Sequence, residues 1–257
     1  MSPRRRVVLN PHTSARMSRF LERARVATSR DASSSLASPA SARARRPRAR
    51  RAAASVKTVG ASRQSDGAAA RAARDATTRW LTDVIVGMNL CPFARASMTK
   101  TFAIEVVRDD DDDGGGYGDV LARETRRLAA CARDESATTL IVFANGWDDW
   151  DGFMRGPVRE AEDACAATTD GETVTVVPFH PLATFDGESE ASNYTSRSPF
   201  PTIHLLRACD IERAEDTWYR LEEREDIRER NAEYLEALGV NELRRLWARI
   251  VANDAPT

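Results

Sequence analysis

The chain has 257 residues, 42% of them hydrophobic and 30% charged, with a formal net charge of −1. That size and composition suit one globular domain with appendages, and no apolar run reaches the roughly 18 to 20 residues a membrane-crossing helix needs. The near-neutral total hides two unlike regions, because residues 1–76 hold eighteen Lys and Arg against four Asp and Glu, leaving twenty and thirty-five for the rest.

The chain opens with a stretch of Arg, Ala and Ser, extreme over Ala42–Arg51 (ARARRPRARR). An acid-poor, Arg- and Ser-rich start without an apolar secretory core reads as an organelle transit leader. Residues 1–73 are therefore expected to be a disordered, basic leader that engages the organelle import machinery. Its Ser and Ala richness points to the chloroplast. Met17–Ala27 (MSRFLERARVA) could form the short basic helix of mitochondrial import, which keeps the mitochondrion as the alternative. A permanent basic arm for nucleic acid is the competing reading, since phosphate attraction needs only clustered Arg. Phe20 is the lone aromatic there for stacking on bases, and the body that follows is acidic, so nucleic acid is not expected as a partner.

A single α/β domain is expected over residues 77–252. Asp75–Leu90 has Trp80, Val84, Ile85 and Met88 at helical spacing, with Asp75 or Thr77 as N-cap, and Pro92 stops it. Thr101–Val107 is a short β-branched strand. Asp109–Gly118 (DDDDDGGGYG) lacks the alternating ligands and closing Glu of a calcium loop and reads as a solvated insertion. Asp119–Asp134 is a helix, with Leu121, Leu128 and Cys131 on one stripe. Thr138–Ala144 is a strand apolar enough for burial on both faces. Trp150–Ala167 is a helix notched at Gly156-Pro157, and Glu172–Phe179 is a strand. Ile203–Arg207 reads as strand or helix start. Ile211–Leu221, Asp226–Leu238 and Glu242–Ala252 are helices, the second closed by Gly239. Alternating strands and helices predict a mostly parallel sheet of three or four strands, with a βαβαβ core, helices on both faces and further helices at the C-terminus.

Cys91, Cys131, Cys165 and Cys209 lie far apart without a CxxC pair, against a zinc knuckle or thioredoxin-type couple. Cys131 and Cys165 sit among alanines and are expected to act as small core hydrophobes.

Two segments look unlike scaffold: Asn89–Ala94 (NLCPFA), and Pro178–Arg207, which carries His180, His204 and several prolines. A proline-braced loop leaving the C-terminal end of a buried strand is where open α/β sheets place ligands. WLTDVIVGMNLCPFA, VVPFHPLATF and NYTSRSPFPTIHLLR together resemble the domain-of-unknown-function family 1415, over about Thr77 to Leu238. The resemblance implies a common domain and a common site built from these blocks, with no reaction attached. The family's bacterial spread fits an organelle-targeted copy of a bacterial-type protein.

Three readings of the site follow from the residues. Cys91, His180 and His204 could converge as a catalytic Cys–His set or as a metal site, with Asp186 or water completing the coordination, because an imidazole activates a thiolate and both ligate metals. Arg197 and Arg207 could clamp a small anionic ligand, oriented by Asn193, Tyr194 and Ser198, since a guanidinium fits two oxygens at once. Trp147 and Trp150 could anchor a partner in a non-catalytic assembly module. No motif specifies a cofactor.

Overall fold

A computed structural model describes residues 59–108, 116–168, 173–220 and 226–252. The expected leader lies outside the described residues as far as residue 58, and so do residues 109–115 of the acidic, glycine-rich loop. Helix α1 runs Val59–Arg79 and continues through π-helical turns over Trp80–Val86. No cap at Asp75 or Thr77 starts it. The Ala-rich stretch ahead of them extends the helix backwards, Ala being the best helix former, and Thr77 is buried mid-helix. Ala73 and Ala76 already pack in the core, so core packing extends ahead of residue 77.

After α1 come α2 (Ala94–Met98), β1 (Thr101–Val107), α3 (Tyr117–Ala130) and β2 (Ala137–Phe143). Helix α4 has three parts: Trp150–Phe153, a π-helical stretch Met154–Val158 at the expected Gly-Pro notch, and Arg159–Ala167. β3 (Val174–Phe179), a 3-10 turn (Ser192–Ser196), β4 (Thr202–Arg207), α5 (Ala208–Arg220), α6 (Ile227–Leu238) and α7 (Val240–Ala252) complete the order. Asp226 caps α6 through the N–H groups of Arg228 and Glu229, and Gly239 closes it at a φ of 79°.

The sheet order is β1-β2-β4-β3. β1 and β2 pair in parallel, whereas β4 runs antiparallel to both β2 and β3. The expected mostly parallel sheet is therefore corrected to a mixed one. Strands β1, β2 and β3 share a direction, so the βαβαβ core survives with a reversed strand inserted in it. The reversal follows from the loop after β3, which returns the chain as β4 into the gap between β2 and β3. β2 is buried along its whole length, as its unbroken apolar run requires.

Side chains alternate between the sheet's two faces. One face presents Phe102, Ile104 and Val106 of β1 with Leu140 and Val142 of β2, and packs on Trp80, Leu81 and Val84 of α1, Leu235 of α6, and Leu243, Trp247 and Ile250 of α7. Arg79 ties α1 to α7 by donating from Nε and Nη2 to the Ile250 carbonyl at 3.1 and 2.8 Å. The other face presents Glu105, Thr139 and Phe143 to α3 and α4, where the Phe143 ring meets Tyr117 and Phe153. Buried Glu124 is held there by Arg123, Arg127 and the Thr139 hydroxyl; these bonds outweigh desolvation, the largest single influence, and keep its carboxyl below the usual carboxylate range. Helices thus cover both faces. Among the described residues, no helix is long and apolar enough to cross a membrane.

Candidate functional site

The C-terminal ends of β1, β2 and β3 lie on one edge, and the loops leaving β2 and β3 meet there. The β2 loop makes a tight turn, with Gly146 at a φ of 74° and Trp147 at 58°. Only its fit to its surroundings keeps a β-carbon-bearing residue in that conformation. The Trp147 indole rests on Gly156, where a β-carbon would come within 2.7 Å of the ring. Asp149 then caps α4 by accepting the Gly152 N–H at 2.7 Å. Trp150 is buried against Phe153, His180 and Phe185, and Trp147 is half-buried, so this aromatic pair builds the loop and is not an exposed anchor.

His180 is 1% exposed at the end of β3. Its Nδ1 accepts the Leu182 N–H at 3.0 Å, so the proton sits on Nε2, which donates to the Trp147 carbonyl at 2.8 Å. Desolvation lowers its pKa against the pull of the Trp147 carbonyl and the Asp149 and Asp148 carboxylates. Both nitrogens are occupied, which leaves neither for a metal or a nucleophile.

His204 lies mid-strand on β4, opposite Leu140 and Val177. The Thr138 hydroxyl gives its one proton to the Leu205 carbonyl at 2.8 Å and so accepts from His204 Nε2 at 2.7 Å. Burial pushes the His204 pKa down to about 4. Its ring packs on Phe179, on the face that also carries Trp80. His180, next after Phe179 in the chain, points to the opposite face against Phe153. The two histidines therefore do not converge.

Cys91 belongs to neither group. Its described neighbours are the N–H groups of Phe93 and Ala94 and the Arg230 guanidinium. The residue is exposed, yet its sulfur sits in close surroundings whose desolvation raises the thiol pKa, outweighing those three groups. That is the reverse of an activated thiolate. Among the described residues, no three His, Cys, Asp or Glu side chains come together as a metal site would require, which removes the Cys91–His180–His204 metal set. None of the four cysteines is in a disulfide. Cys165 is buried as expected, whereas Cys131 is half-buried and donates to Glu135.

The two arginines part company as well. Arg207 is fully buried at the far end of β4, roughly 16 Å of strand from Thr202. It donates to the carbonyls of Glu135, Cys131 and Ala132 at 2.7 to 2.9 Å and pairs with Asp210 at 3.6 Å, so it caps the end of α3, away from the edge where the β2 and β3 loops meet. Arg197 is at the edge where the loops leaving β2 and β3 meet. Its guanidinium lies 4.4 Å over the Tyr194 ring, and Nε donates to the Ala183 carbonyl at 3.3 Å. Among the described residues, its two terminal nitrogens have no acceptor.

The polar residues around it are spent on the loop. Asn193 accepts the Phe185 N–H, Ser198 donates to the Phe200 carbonyl, and Tyr194 sits edge-on to Trp247 beneath the Arg197 guanidinium. They fix the segment that carries Arg197 and are buried doing so. The sequence did not single out Ala183, whose carbonyl orients Arg197. The Asn145-Gly146 pair and the Gly156-Pro157 notch were the signals for the Trp147 loop.

A family model described as "Protein of unknown function (DUF1415)" matches residues 72–245. No curated protein and no solved structure matches the chain.

Proposed function

Because the chain belongs to the DUF1415 family, whose description carries no reaction, we propose a function from the site itself: the domain binds a small anionic ligand at the C-terminal edge of β1–β3, with Arg197 as its charged contact. The observation that supports this is the state of Arg197. One nitrogen is anchored to Ala183 and the plane is stacked on Tyr194, while the two terminal nitrogens are unspent among the described residues. A guanidinium oriented in this way offers paired donors to a carboxylate, sulfate or phosphate without first losing its own freedom. The position agrees with the general placement of ligands in open α/β sheets.

The reading is of binding. A Cys91–His mechanism has no support in the geometry, since the thiol is protonated at neutral pH and the histidines are engaged elsewhere. The test is a melting screen of the full chain against a panel of carboxylates, sulfate and phosphate esters, run beside Arg197→Met. A ligand of the folded state must raise apparent stability. The expected result is stabilisation by at least one anion class, lost in Arg197→Met. A shift that persists in the variant would remove Arg197 from the site.

We also propose that the basic leader delivers the chain to the chloroplast, with the mitochondrion as alternative, on the strength of its Arg, Ser and Ala composition. Fusing residues 1–73 to a fluorescent reporter tests it. Diffuse cytoplasmic signal would count against both compartments.

A further inference from the structure

We propose that His180 is the positioning residue of the anion site: as a neutral ring it holds the turn that aims Arg197, and protonation of that ring loosens the aim. The inference rests on the Arg197 reading above and extends it to control by pH.

The geometry is a short chain of bonds. The Ala183 N–H donates to the His180 carbonyl at 3.0 Å, closing a four-residue turn with Pro181 in its second position. The Ala183 carbonyl is the one that receives Arg197 Nε. The His180 N–H donates to the Ser196 carbonyl at 3.1 Å, so the backbone just before Arg197 is fixed by the same residue. The ring completes the arrangement, with Nδ1 accepting from Leu182 inside the turn and Nε2 donating to Trp147 in the β2 loop. One imidazole therefore joins the turn, the segment before Arg197 and the β2 loop.

An imidazolium carries N–H on both nitrogens. The Leu182 N–H would then face a donor, and the turn must shift to relieve it. The Ala183 carbonyl moves with the turn. The charged groups facing the ring are Asp148 and Asp149 of the β2 loop, which favour the imidazolium. Helix α4 offers only the rings of Trp150 and Phe153, and the 3-10 segment offers the Ser196 carbonyl. Desolvation outweighs the carboxylates, so the neutral form prevails at pH 7 and the charged form appears in acid.

The sign of the effect separates this from simple electrostatics. Added positive charge near an anion site tightens anion binding as pH falls, whereas a lost aim weakens it. The probe is sulfate, whose charge is constant from pH 5 to 8, titrated into the full chain at pH 7.5 and 5.5. Wild type is expected to bind more weakly at pH 5.5, by up to about tenfold as the ring takes up its proton, the scale of one ordinary lost hydrogen bond. His180→Asn keeps an acceptor for the Leu182 N–H and is expected to bind with little pH dependence. His180→Gln keeps a donor for Trp147 but no Nδ1 acceptor, and is expected to bind weakly at both pH values. A melting curve of each variant checks that it folds.

A second arm needs no ligand. The Arg197 Nε–H resonance is expected to move with the His180 titration in wild type and to stay still in His180→Asn. An Arg197 resonance indifferent to that titration, or sulfate affinity that holds or rises in acid, overturns the inference. Should sulfate fail to bind at any pH, the sulfate-site reading falls, and the Arg197 resonance still decides whether His180 aims it.

Discussion

Acid should destabilise this domain through His204, by an amount the structure sets. The folded state holds the ring neutral with a pKa near 4, while the unfolded chain takes up a proton near the ordinary value of 6.5. Between those values the unfolded state binds more protons, so stability falls as pH falls. The contribution is fully present above pH 6.5, drains away down to about pH 4 and is gone below it. A gap of about two and a half units corresponds to about 3 kcal/mol at most. The perturbation that isolates it is His204→Gln, which keeps an amide donor for the Thr138 hydroxyl but does not titrate. The assay is urea unfolding of both proteins at pH 7 and pH 4.5. Wild type is expected to lose about 2 to 3 kcal/mol more than the variant over that interval. His180 and the carboxylates titrate in both proteins and cancel from the difference. Parallel losses in the two proteins would refute the idea that His204 refuses the proton in the folded state.

Other substitutions probe the rest of the framework. Arg207→Met strips three carbonyls of their donor and should cost about 3 kcal/mol or more in denaturant melts, while leaving anion affinity unchanged because Arg207 lies at the other end of β4. A weakened anion response in a folded Arg207→Met would place that residue in the site after all. Gly156→Ala puts a β-carbon into the Trp147 indole and should cost about 1 to 3 kcal/mol with a change in tryptophan fluorescence. Asp149→Ala removes the cap of α4 and should cost about 1 kcal/mol by the same melts, with Asp149→Asn recovering most of it.

How far the sequence could be read differs from element to element. Thr101–Val107 is a strand with the bounds its β-branched run implied, and the Gly-Pro notch in Trp150–Ala167 is a π-helical stretch. These are local features: side-chain branching, a missing N–H and a helical period act within a few residues. Helix α1 was legible in its apolar face but not in its start. Its Ala-rich beginning carries no face to reveal it, and only packing of Ala73 and Ala76 marks it as part of the domain. Within the site, the loop after β3 was recognised as ordered from its prolines. The partners of Asn193, Tyr194 and Ser198 were not, because two bond to backbone groups and the third packs on side chains, Trp247 and Arg197, that no spacing rule points to.

The residue pattern alone marked most of the helices and strands, with Ile203–Arg207 left open between the two, the family they spell out and the two loops unlike scaffold, since all of these depend on order along the chain. Tertiary structure alone decided that β4 runs backwards between β2 and β3, that His180 and His204 face opposite sides of the sheet, and that Arg197 and Arg207 stand at opposite ends of it. Strand insertion is a long-range choice. Once it is made, the alternation of side chains and the rise of the strand carry residues that are neighbours in sequence to different faces and different edges.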